Sequence, residues 1–251
     1  MKSVTERVYL TDFILACLAY CLFVGSDSIV KYLGSDYSIV QIIFVNSWFA
    51  LIPIVLYTQT LNGWRKLKKA NFTVHFFRAL TMALALFFGY TGFYRLPMVT
   101  MYSIVFLIPL MITIGSVFFL GEVVRWKRFT AILIGFIGAI ISINPFGTEY
   151  DNYIFLALFC PIFASASYLI VRKYGFKENL FSFLIYGKIL MLVLTGVFAL
   201  FIFKPVSLDH LMLNGAAGLM RGIATIFVVN AARHLPLSLI HISEPTRHAS
   251  I

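Results

Sequence analysis

The chain alternates between long apolar runs and short polar separators. An α-helix rises about 1.5 Å per residue, so about 20 residues cross the hydrocarbon of a bilayer. Eight runs have that length, at 12–33, 38–58, 73–95, 98–120, 127–145, 152–172, 180–203 and 211–232. Runs such as "MYSIVFLIPLMITIGSVFFL" are continuously apolar, without the period-two alternation of barrel strands, so each is predicted to be a helix. Separators such as "KYLGSDYS" and "YRLPM" are short, which predicts antiparallel neighbours and no separate soluble domain. The expected fold class is an all-α polytopic membrane protein with eight clear spans.

Composition supports this. Hydrophobic residues make up 61% of the chain and charged residues 12%, against roughly 25% charged in soluble domains. No water-facing surface of this size could dispose of so many apolar side chains. A net charge of +10 in a soluble protein would suggest nucleic acid. Here the charge gathers between the apolar runs, which excludes that partner in favour of the lipid bilayer. Arg65, Lys66, Lys68 and Lys69 follow the second run, Arg125, Lys127 and Arg128 the fourth, and Arg172, Lys173 and Lys177 the sixth. The alternate separators carry little: Lys31 with Asp36, Arg95, Glu149 with Asp151, and Lys204 with Asp209. Inward-facing loops collect Lys and Arg, so the even-numbered loops and the N-terminus are expected in the cytoplasm. The first apolar run has no cleavage signature after it and reads as a span rather than a signal peptide. Cys17, Cys21 and Cys160 lie in apolar runs without metal-ligand neighbours and are expected to be buried packing residues.

Charges inside the runs are the candidates for function, because an idle charge in hydrocarbon costs several kcal/mol, about 2.5–3.5 on insertion scales. Asp27 reads either as a contact for a substrate cation or proton, or as an outer-interface residue paired with Lys31 on the same helix face. Arg78 can snorkel to the cytoplasmic interface or grip an anionic solute group. His75 beside it has no visible partner and reads as a bystander. Arg221 is too deep for easy snorkelling and reads as cavity-lining or as half of a structural salt bridge. Lys188 lies about two turns into its run, within snorkelling reach. Pro109 and Pro161 remove helix hydrogen bonds and are expected to interrupt their runs, exposing carbonyls or merely kinking the helix. Gly135 and Gly138 are expected to allow close helix packing, and Ser165 and Ser167 to pack. Glu122, after Gly121, reads as structural or gating, capping the next helix or pairing with Arg125. Nothing reads as catalytic, and no metal or cofactor motif is present; there is no phosphate loop and no nucleophile elbow.

Two short strings recur. "VKYLG" begins at Val30 and "VRKYG" at Val171, an offset of 141; Pro97 of "YRLPM" and Pro236 of "RHLPL" are 139 apart. Similar offsets predict a duplicated unit of about five helices. An odd number inverts the second copy, the arrangement of many secondary transporters.

The stretch from Tyr94 to Pro145 carries a family likeness. A Leu-Pro follows the third run at Pro97, a proline lies inside the fourth at Pro109, Gly121 and Glu122 close it, and Gly135 and Gly138 enrich the fifth. In this pattern the chain resembles the drug/metabolite transporter superfamily, specifically its EamA-domain group, over about residues 12–240. Within that group it also looks like the S-adenosylmethionine uptake carriers of intracellular bacteria. The resemblance implies ten helices in two inverted five-helix units, at 12–146 and 152–240, the second incomplete. It implies no cofactor and transport of a small-molecule substrate across the inner membrane, with proton or ion coupling and a homodimer left open. The polar string "HISEPTRHAS" departs from the pattern, and residues 241–251 are expected to be a non-native tail on a truncated second unit. The charges inside the spans favour an amino-acid-like or zwitterionic metabolite moved by alternating access. A channel or a non-transporting scaffold is the alternative, with an intramembrane enzyme behind it.

Overall fold

A computed structural model describes residues 2–61, 67, 71–121, 126–143, 152–174 and 180–234. Ten helices and no strands are present among the described residues: α1 (Lys2–Leu33), α2 (Ile39–Thr60), α3 (Phe72–Arg95), α4 (Met98–Val105), α5 (Ile108–Leu120), α6 (Trp126–Ile143), α7 (Tyr153–Ala157), α8 (Phe159–Tyr174), α9 (Leu180–Ile202) and α10 (Leu208–His234). Two expected spans are each broken in two, one into α4 and α5 and the other into α7 and α8. Both breaks follow from proline. The ring of Pro109 would clash with the carbonyl of residue 105, and α4 ends at Val105; Pro161 stands in the same relation to Ala157, where α7 ends.

Seven stretches among the described residues are long and apolar enough to cross a membrane: Ile14–Leu33, Ile39–Thr60, Phe72–Arg95, Met98–Leu120, Tyr153–Tyr174, Phe181–Ile202 and Leu208–Val228. The chain is a multi-pass membrane protein. The remaining expected span, 127–145, is helical as α6 over Trp126–Ile143, of whose side chains several lie outside the described residues.

Local sequence sets the helix ends. Ser38 caps α2 by accepting from the Gln41 amide at 3.3 Å. Asn71 caps α3, its Oδ1 accepting from the Thr73 amide at 3.1 Å. Gly121 ends α5 in the left-handed region, with φ 67°, a conformation that glycine adopts without steric penalty. The other half of that pair, Glu122, lies outside the described residues, as does the expected tail at 241–251.

The helices pack as a bundle: α1 on α10, α10 on α2, α2 on α9, α9 on α3, and α3 on α8, with α5 also against α8. Closest approach is at α10. A Cβ on Gly218 would meet the Asn46 carbonyl oxygen at 2.5 Å, and one on Gly222 the Ala50 oxygen at 2.5 Å, so backbone lies against backbone there. Gly135 and Gly138, expected to serve such packing, have nothing within 4 Å of an added Cβ. They lie on a stretch of α6 that no described helix covers. Cys17 and Cys21 are also exposed rather than buried, on the outer face of α1, whereas Cys160 is buried as expected. Hydropathy alone does not separate a lipid-facing position from an interior one, since lipid and core are equally apolar.

At the end where α1 meets α2, a cluster including Val30, Leu33, Ile42, Tyr90, Met101 and Met191 forms the core. Polar clamps close this end. Gln41 bonds both ways to Lys204, donating to its carbonyl at 2.7 Å and accepting from its amide at 3.0 Å. Tyr37 Oη and His210 Nδ1 lie 3.0 Å apart. Lys31 Nζ donates to the carbonyls of Phe93 at 2.9 Å and Leu96 at 2.7 Å, satisfying the C-terminus of α3. A smaller cluster of Ile54, Leu184, Ile185 and Ile226 fills the opposite half.

Candidate functional site

The charges inside the spans converge on the centre of the bundle. Asp27 (α1) and Arg221 (α10) are 6% and 8% exposed. Arg221 Nη2 donates to Asp27 Oδ1 in the one ion pair that lies wholly among the described residues. Tyr102 Oη (α4) donates to the other carboxylate oxygen at 2.9 Å. Arg221 Nε donates to Ser26 Oγ at 3.3 Å. The guanidinium carbon stands 5.0 Å from the Tyr90 ring centroid and 5.5 Å from that of Phe23, a cation–π environment that suits a planar cation in a dry site. Four helices thus contribute to one charge-neutral knot. Asp27 is not paired with Lys31, because Lys31 is engaged at the end of α3. The Tyr90 hydroxyl lies beside Ser26 without meeting hydrogen-bond geometry, leaving one buried donor at the edge of the knot.

Arg78 (α3) occupies the opposite half of the bundle. It turns inward rather than snorkelling: Nη1 donates to the Phe183 carbonyl of α9 at 2.5 Å, and its guanidinium carbon is 5.3 Å from the Phe183 ring centroid. Gly187 makes room for it, since a Cβ at that position would collide with Nη1. Arg78 Nε is buried without a partner. Ser167 (α8) donates to the Arg78 carbonyl at 3.5 Å, and Ser165 Oγ donates to the Ile162 carbonyl at 2.8 Å, so both serines are buried packing residues with local bonds. His75, the expected bystander, packs its ring against Phe183 at 4.9 Å and Tyr186 at 5.4 Å.

Lys188 (α9) lies within electrostatic reach of both arginines, of Arg221 more strongly than of Arg78. It is half-buried, and among the described residues it has neither hydrogen bond nor ion pair. Tyr168 (α8) stands on the Arg78 side of the bundle. It is 38% exposed and lies within electrostatic reach of Arg78. Pro109 and Pro161 lie on the broken spans that flank this region, Pro161 buried and Pro109 partly so. No cluster of His, Cys, Asp and Glu able to hold a metal is present among the described residues.

Sequence reading found Asp27, Arg78, Lys188 and Arg221 but missed Ser26, Tyr90, Tyr102 and Tyr168. A tyrosine inside an apolar run is a usable signal, because its buried hydroxyl needs a partner.

An all-helical, multi-pass bundle with an ion pair buried at its centre defines the class. Residues 11–144 match the EamA-like transporter family, and the chain belongs to that family. It is 30% identical over 196 residues to the S-adenosylmethionine uptake transporter of Rickettsia felis, covering 75% of this chain and 64% of that protein. It is 24% identical over 236 residues to the riboflavin transporter of Vibrio cholerae, covering 90% and 76% of the two chains. It is 20% identical over 232 residues to the pseudopaline exporter of Pseudomonas aeruginosa, covering 92% and 81%. The chain thus spans just under two thirds of the length of the Rickettsia relative.

Proposed function

We propose that this chain supplies the first unit and most of the second unit of a secondary transporter, one that moves a small zwitterionic metabolite across the inner membrane by alternating access. The observation that carries the reading is the Asp27–Arg221 pair, held by Tyr102 and Ser26 where α1 meets α10. A carboxylate and a guanidinium buried together present both signs of charge to a solute that carries both. Such a pair can also exchange partners with that solute as the surrounding helices move.

The helix packing supports two inverted units. Exchanging α1 with α8, α2 with α9 and α3 with α10 turns the α1–α10 contact into α8–α3, turns α2–α10 into α9–α3, and leaves α2–α9 unchanged. All these contacts are present, as a two-fold axis in the membrane plane requires. In this reading α1 begins in the cytoplasm and Arg221 lines a cavity between the units. Glu122 with Gly121, and the proline breaks at Pro109 and Pro161, serve as structural or gating elements. Proton or ion coupling and a homodimer belong to the reading as open components. The names of the relatives make S-adenosylmethionine, itself zwitterionic in its amino-acid part, the first solute to try.

The test is counterflow in vesicles that carry the transporter with both five-helix units complete, using labelled S-adenosylmethionine alongside neutral amino acids and riboflavin. Saturable exchange that Arg221→Ala reduces far more than it reduces the amount of protein in the membrane supports the reading. Flux that never saturates, or transport per molecule unchanged by Arg221→Ala, overturns it. Arg221→Lys then separates a need for charge from a need for the planar donor fork.

A further inference from the structure

The two arginines of the bundle are in unequal circumstances. Arg221 is neutralised by Asp27 and enclosed by Ser26, Phe23 and Tyr90. Arg78 has only a backbone carbonyl and the face of Phe183, with Nε unpartnered. Among the described residues no carboxylate reaches it. Lys188, next in the chain to the Gly187 against which Arg78 lies, has neither carboxylate nor carbonyl among the described residues.

The internal repeat explains the inequality. The offset of 141 that carries Val30 to Val171 carries Asp27 to Tyr168. The offset of 139 that carries Pro97 to Pro236 relates Arg221 to position 82, one helical turn from Arg78. Tyr168 lies within electrostatic reach of Arg78, as Asp27 lies against Arg221. Where the first unit offers a carboxylate to the arginine of the second, the second unit offers a phenol to the arginine of the first. One cation position is therefore complete and its counterpart lacks an anion.

We propose that Arg78 and Lys188, with Tyr168 beside them, form the subsite that receives the negatively charged group of the solute, a carboxylate or a phosphate-like oxyanion. This rests on the transporter reading for its purpose, though the site can be tested without transport. Two cations within electrostatic reach of each other and without an anion repel each other and lack solvation, and an incoming oxyanion relieves both. Gly187 belongs to the design, because any side chain there would displace the Arg78 guanidinium. Arg221 is excluded as the primary anion receptor, since a solute would have to displace Asp27 first. The knot at Asp27 is left to meet the cationic end of the solute.

The experiment measures the thermal unfolding midpoint of the chain in detergent. Acetate, succinate and inorganic phosphate are each titrated against chloride at equal ionic strength, in the wild type and in Lys188→Met, Lys188→Arg and Lys204→Met. The wild type is expected to show a saturable rise with at least one oxyanion, abolished by Lys188→Met and kept by Lys188→Arg and by the outer-end control Lys204→Met. In chloride, Lys188→Met is expected to be at least as stable as the wild type, because it removes an unpaired charge; a merely structural lysine would give the opposite. A response to acetate or succinate assigns a carboxylate, and a response to phosphate alone assigns a phosphate-like group. No saturable rise that depends on Lys188, with any of the three, overturns the subsite. A Lys188-dependent rise without counterflow removes the transport reading and leaves the site. Counterflow with the same KM in Lys188→Met, and no such rise, removes the site and leaves the transport reading.

Discussion

Deleting the Asp27 carboxylate tests the architecture most directly. In Asp27→Ala the Arg221 guanidinium keeps Ser26 and two aromatic faces but loses its counter-ion in a position 8% exposed. Breaking a buried pair from one side costs about 3–5 kcal/mol, and an uncompensated charge at a helix centre costs about 2.5–3.5 kcal/mol on insertion scales. The two figures agree, and about 3 kcal/mol is the expected loss. Tyr102→Phe removes one hydrogen bond to a charged group and should cost about 1.5–3 kcal/mol. Combining Asp27→Ala with Arg221→Leu removes the orphaned cation together with its partner. The double variant should therefore be less destabilised than the sum of the singles, with a coupling of about 1.5 kcal/mol or more, in the upper part of the range for contacting residues. Unfolding in mixed micelles, titrated with a denaturing detergent, gives all four corners of the cycle. Additivity to within about 0.5 kcal/mol would refute the pair as an energetic unit.

Three further outcomes are expected. Gly218→Leu forces a side chain against the Asn46 carbonyl and should lower stability by at least about 1–3 kcal/mol; Gly138→Ala, with open space around it, should be neutral or stabilising, and the same unfolding titration compares them. Lys31→Met strips both carbonyl contacts from the end of α3 and should cost about 1.5–3 kcal/mol, read as lost protection of the Phe93–Leu96 turn in hydrogen exchange. Single cysteines at positions 68, 127 and 177 of a cysteine-free variant should label from the cytoplasm, and those at 149 and 209 from outside; Lys68 and Glu149 on one side would refute the charge-based orientation.

The spans were legible because hydropathy over 20 residues is a property of the chain alone. Ile39–Thr60 and Phe72–Arg95 fall within two residues of their expected ends. The helix breaks were legible in kind, and the structure places them at the fourth residue before each proline. Asp27 and Arg221 could be singled out because depth makes an isolated charge expensive. That they pair with each other could not be read, since the alternative Asp27–Lys31 pairing satisfies local spacing equally well. Only the packing of α1 on α10 decides it, with Lys31 drawn away to the end of α3. The exposed Cys17 and Cys21 and the open Gly135 and Gly138 make the same point. In a medium as apolar as the protein interior, composition does not say which face of a helix looks inward.

The Asp27–Arg221 pair also has a place in time. Its two halves are 194 residues apart in the chain. At about 5–20 residues per second, a ribosome finishes α1 roughly 10–40 s before it reaches α10. Throughout that interval the first helix holds a carboxylate whose cation has not yet been made. The nascent helix must keep Asp27 near the lipid headgroups, protonated, or within the protein machinery that inserts it. Tyr102, only 75 residues downstream, arrives first and offers it a hydroxyl while it waits. The arrival of Arg221 then draws α10 onto α1, so the last described helix to be synthesised locks the first into place.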